Sequence, residues 1–131
     1  MTLGHNNPGN IRANSHDDWH GQIGIDDNGF CIFDTMTDGV RALCKLLLTY
    51  QDKHDLQCVE DIVQRWAPPG ENDTDAYIDD VCARTHWRPD ELIDLHVPQN
   101  LIAMASAMAH HETGQYLDST VLAAGAASAV V

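Results

Sequence analysis

The strongest constraint on this chain is a change in apolar period at Asp38. Beyond it, Val40, Leu43, Cys44, Leu47 and Gln51 recur at steps of three and four, the spacing of one helix face, as far as about His54. A second, shorter helix is predicted from about Val59 to Trp66, with Ile62, Val63 and Trp66 inward, stopped by Pro68-Pro69-Gly70. Asn72 or Asp73 then caps a third helix to about Arg84, with Tyr77, Ile78 and Val81 as its apolar face. Pro89, followed by the acidic pair Asp90 and Glu91, predicts a short fourth helix. A fifth runs from Pro98 to about His111 with Leu101, Ala105 and Met108 on one stripe. The segment before Asp38 reads differently. Trp19 to Ile25 alternates loosely, Asp26-Asp27-Asn28-Gly29 is a turn signal, and Phe30 to Phe33 is a short β-prone run, so a small hairpin is expected. The fold class that follows is mainly α, in the α+β sense.

A chain of 131 residues, 44% apolar and without internal repeats or charge blocks, has one compact core. The expected division is one domain over residues 1–119 and a small-residue apolar tail over 120–131. That tail has about a dozen residues where a membrane span needs roughly 20, so no stable membrane span is expected. Net charge is −13, from 20 acidic against 7 basic residues, and such a field repels nucleic acid and anionic membranes. The first ten residues are polar and rich in Gly, Pro and Asn, unlike a secretory signal, so synthesis in the cytoplasm without a signal peptide is expected.

Cys31, Cys44, Cys58 and Cys82 lack the paired short spacing of zinc or redox sites and are expected as buried free thiols. Neither His16 and His20 nor His110 and His111 has a second motif at ligand spacing, and the Asp26 turn does not keep the spacing of a calcium loop. No metal and no cofactor are called for.

The residue that carries chemistry is Glu112. At about 100° per residue it lies within about 20° of Leu101, so the apolar stripe of the fifth helix ends in a carboxyl just before Thr113 and the C-cap candidate Gly114. Desolvation and the negative end of the helix dipole both disfavour the ionised form of such a group, and a protonated carboxyl is what cleavage of a glycosidic bond requires. The plain alternative is a carboxylate at a frayed helix end, turned to water.

Leu101 to Gly114, LIAMASAMAHHETG, resembles the helix of lysozyme-superfamily peptidoglycan hydrolases that ends in Glu-Thr-Gly or Glu-Ser-Gly. Asn7 to Arg12, NPGNIR, is similar to the Asn-x-x-Gly-Ile-Lys signature of flagellar-type glucosaminidases. The order of the two is reversed here, as a circular permutation would produce. Residues 5–114 also resemble small phage- and prophage-encoded proteins, lysozyme-like or virion structural, that share NNPGNIR, a GxRA helix (Gly39 to Ala42) and RWAPxxENDTxxY (Arg65 to Tyr77). The resemblance implies a lysozyme-like fold, Glu112 as the catalytic acid, and peptidoglycan glycan strands as substrate. The expected activity is that of a muramidase, glucosaminidase or lytic transglycosylase at the bacterial cell wall or periplasm. Phage virion proteins are the other implied partners, and an acidic chain without a signal also fits delivery by secretion-machine proteins.

Other residues join this reading. Asn7 and Asn10 offer amides to N-acetyl and hydroxyl groups, and Arg12 can orient a carboxylate. Glu71 is the candidate second carboxylate, with Tyr77 beside the cleft and Asn72 and Thr74 as substrate contacts. Trp19, Trp66 and Trp87 present faces on which a sugar can stack, with Gln22 near Trp19. Two alternatives stay open: a thiol enzyme built on Cys31, and a non-catalytic virion or glycan-binding module of the same fold.

Overall fold

The computed structural model describes residues 3–70 and 72–131. After a single 3-10 turn, Leu3–His5, the chain forms β1 (Gln22–Ile25), β2 (Cys31–Phe33), α1 (Met36–His54), α2 (Val59–Trp66), α3 (Thr74–Thr85), α4 (Pro98–Thr113) and α5 (Ser119–Ala129). The fold is thus mainly helical with one small antiparallel hairpin, as expected. In the hairpin turn the Asp26 carboxyl accepts from the N–H groups of Asn28 and Phe30, and Gly29 takes φ +88°. The hairpin pairs Gln22 with Phe33 and Ile25 with Cys31 across a register irregularity between Gln22 and Gly24.

The helices are bounded by local chemistry. Thr35 caps α1 through the Asp38 N–H, and Asp73 caps α3 through the Ala76 N–H. Pro98 opens α4, and Gly114 at φ +76° closes it. Val40, Leu43, Leu47, Ile62, Leu101, Met104 and Met108 form the main core. A smaller core of Ile11, Cys31, Phe33 and Ala42 lies under the hairpin, where Trp19 packs against it.

One expectation changes. The short helix predicted from Pro89 is a turn followed by extended chain. Its backbone is tied to the start of α2 and the chain just before it instead: the Pro89 carbonyl accepts from the Glu60 N–H and the Ile93 N–H donates to the Gln57 carbonyl. Ile93 and Leu95 are buried at an alternating spacing that no helix gives. The apolar segment from Thr120 lies almost wholly within α5, which packs along α1 and buries Leu122, Gly125, Ala126 and Ala129. Small residues permit this contact, since a Cβ on Gly125 would stand 2.4 Å from Val40 Cγ1. Among the described residues no helix is long and apolar enough to cross a membrane.

Candidate functional site

The end of α4 faces the irregular N-terminal segment, and the two enclose a cleft of about 450 Å³. That volume lies within the range of about 300–1,000 Å³ usual for small-molecule sites. Glu112 belongs to the helical wall and Gly9 to Arg12 to the other.

Glu112 is held by three donors from three parts of the chain. The Asn10 side-chain amide donates to Oε1 at 2.8 Å. The Trp66 indole N–H and the Tyr77 hydroxyl donate to Oε2 at 3.3 Å and 2.9 Å. A carboxylate has about four acceptor positions. Oε2 has both of its positions occupied, so Oε1 retains the one that a ligand in the cleft can use.

Each donor is itself fixed. Asn10 sits at φ +51°, a left-handed conformation that Asn tolerates better than most residues, and its N–H donates to the Asn7 carbonyl. Trp66 meets Tyr50 edge to face at 5.9 Å, and the Arg65 guanidinium lies over the Tyr50 ring. Tyr77 is 3% exposed. Burial and the adjacent Glu112 carboxyl push its hydroxyl well above the usual tyrosine range, which keeps it an O–H donor. Its ring stacks at 3.9 Å on His111, whose Nδ1 lies 2.8 Å from Asp80.

The other predicted residues divide clearly. Asn10, Arg12, Trp19, Trp66, Asn72 and Glu112 line the cleft, with Tyr77 behind Glu112. Arg12 lies over the Phe30 ring at 4.5 Å and donates to the Asn28 carbonyl. Asn7, Gln22 and Thr74, expected as substrate contacts, do not reach it. Asn7 is fully buried, and its amide bonds Ile11 twice and the Cys31 carbonyl once, which uses its hydrogen-bonding capacity inside the fold. Thr74 is buried with its hydroxyl on the Ala67 carbonyl, and Gln22 accepts from the Trp19 N–H within its own loop. Trp87 packs on the helical core and lines no part of the cleft. Glu71, the expected second carboxylate, lies outside the described residues.

Tyr50 and Asp17 line the cleft without having been singled out by the sequence. Asp17 is shaped by Asn14, whose side chain accepts from the Asp17 N–H and donates to its carboxyl. An Asn three residues before an Asp in a polar stretch was the available signal. The thiol alternative is corrected by burial: Cys31 is wholly inaccessible, and desolvation, with Asp17 adding to it, pushes its thiol up. Burial pushes the Cys44 thiol up to about 12. All four cysteines are free.

Fold and site together define a small, mainly helical domain with a carboxyl held at the edge of an open cleft. No family model matches the chain. It is similar to Protein P5 of Pseudoalteromonas phage PM2, 40% identical over 116 residues that span 86% of this chain and 70% of that protein. The chain belongs to the family of this phage protein.

Proposed function

We propose that this phage-family protein cleaves the glycan strands of peptidoglycan, with Glu112 as the general acid. The observation that carries the reading is the convergence of Asn10, Trp66 and Tyr77 on one carboxyl that borders a cleft. A carboxyl serving only as a frayed helix end has no use for three fixed donors from distant parts of the chain.

In this reading the sugar lies between the Arg12 and Trp19 wall and the Trp66 wall, with aromatic faces against the apolar sides of the pyranose rings. The proton leaves Glu112 Oε1 for the bridging oxygen as the bond from that oxygen to the anomeric carbon breaks. Water, or a hydroxyl of the same sugar, then adds to the anomeric carbon and gives up its proton to the carboxylate. The two routes distinguish a muramidase or glucosaminidase from a lytic transglycosylase. Action at the bacterial cell wall or periplasm follows from the substrate, and association with a phage particle or a secretion machine is the delivery this reading invites.

The test is release of soluble muropeptides from purified peptidoglycan by the wild type and by Glu112→Gln, read by mass spectrometry from about pH 4 to about pH 8. Loss of a general acid predicts a fall of at least about 100-fold in the variant. Reducing ends identify hydrolysis and anhydro ends identify lysis. Inactivity of both proteins with binding retained would overturn the enzyme reading and leave a glycan-binding or virion structural module.

A further inference from the structure

A second concavity, of about 290 Å³, lies between the later half of α1, α5 and His96. Lys45 and Lys53 line it, and these are the only two lysines in a chain of net charge −13. They stand on one face of α1 with Leu48, two turns apart. Among the described residues neither forms an ion pair, whereas the nearby His96 is held by Asp52 at 2.6 Å. Its apolar lining is Leu48, Ala129 and Val130. Asp52 also lines it, but that carboxylate is held by His96, so the two lysines leave the pocket apolar inside and net positive at its rim on a protein of strongly negative charge.

The hairpin has the complementary character. Ile23 and Ile25 are 66% and 59% exposed, large apolar side chains on the same face of β1. They run directly into Asp26 and the exposed Asp27. β1 is also the unpaired edge of the sheet, since the other side of β2 is taken by residues 11–13. Neither surface takes part in the cleft.

We propose that the hairpin of one copy docks into the α1/α5 pocket of another, with Ile23 and Ile25 against Leu48 and Val130, and Asp27 toward Lys45 and Lys53. Lys45 and Lys53 lie nine and seventeen residues along α1 from its hairpin end, about 14 and 25 Å by helix rise, so a subunit does not reach its own pocket. The two surfaces differ, so the contact is head to tail and propagates into chains or rings rather than closing as a two-fold dimer. A single hairpin covers less than the roughly 1,200–2,000 Å² of a stable interface, and association is accordingly weak and concentration dependent. The contact is independent of whether Glu112 cleaves anything.

Sedimentation velocity over a concentration series tests it. The wild type is expected to grow in size with concentration and to dissociate in about 0.5 M salt. Ile23→Ser/Ile25→Ser and Lys45→Glu/Lys53→Glu change exposed or rim side chains, and each protein alone is expected to stay monomeric. Mixing them restores one intact hairpin and one intact pocket, so a one-to-one dimer and nothing larger should form. A monomeric wild type, association indifferent to both double variants, or a mixture that stays monomeric would each overturn the proposal. So would a monomeric wild type that binds polyglutamate through the two lysines, which would reassign the pocket to an anionic polymer.

Discussion

The two walls of the cleft are built by different physics. The helical side rests on apolar packing: its core residues come from α1 to α5 and from Ala67, Ile93 and Leu95 between them. The N-terminal side contributes only Ile11, Cys31 and Phe33 to a small core completed by Ala42 of α1, and is held by side-chain amides instead. Asn6 donates to the Phe33 and Asp34 carbonyls, and Asn7 clamps Ile11 and Cys31. The two sides also meet through backbone, because a Cβ on Gly39 of α1 would lie 1.8 Å from the Asn6 carbonyl oxygen. The contrast shows how a small chain can support a site: the packed half fixes the carboxyl, and the hydrogen-bonded half supplies the loop that reaches it.

The most severe way to break this contrast is Asn7→Ala. It leaves the Ile11 N–H and the Cys31 carbonyl without a partner in a buried place, while the Ile11 carbonyl keeps the Cys31 N–H, a loss of about 2–5 kcal/mol. Hydrogen exchange is the measurement. Amides of residues 11–33 should exchange quickly while those of α1 and α4 stay protected, and a single loss of protection throughout would show that the halves are one cooperative unit.

Gly125→Ala probes the packed side with a smaller effect. The added methyl meets Val40 where α5 crosses α1, and overpacking of this kind costs about 1–3 kcal/mol. A lowered thermal midpoint with unchanged hairpin amide shifts would keep the two halves distinct.

Asp80 gives the smallest and most specific effect. Burial pushes its carboxyl up, but the His111 hydrogen bond and the Arg84 guanidinium outweigh that and leave it below the usual carboxylate range. A lowered folded value means that the stabilisation is present above about pH 4, where the unfolded carboxyl is ionised, and fades as pH falls through the folded value. The pair is partly exposed, so the contribution is at most about 1 kcal/mol. Denaturation midpoints of wild type and Asp80→Asn should therefore differ at neutral pH and converge as the pH falls through the lowered folded value.

Legibility followed the same division. The stripe from Leu101 to Met108 and the caps at Asp73 and Gly114 are set by neighbours within a turn or two, and the helices α1 to α4 were readable to within a few residues. Pro89 misled because a good first-turn residue says nothing about where the following N–H groups find partners, and here the Gln57 carbonyl takes the Ile93 N–H and the Gln51 side chain takes the Leu95 N–H. Asn7 and Asn10 stand three residues apart in one polar turn, and nothing local distinguishes the buried clamp from the residue that reaches Glu112.

The sequence alone determined the helical segments, the hairpin, and Glu112 as the carboxyl on an apolar stripe, because helix period, capping and turn chemistry act over a few residues. The tertiary structure alone decided that Asn10, Trp66 and Tyr77, separated from Glu112 by 102, 46 and 35 residues, converge on it. It likewise decided that α5 belongs to the core and that both lysines share one pocket. These are long-range contacts, selected by the joint packing of surfaces that no short window of sequence contains.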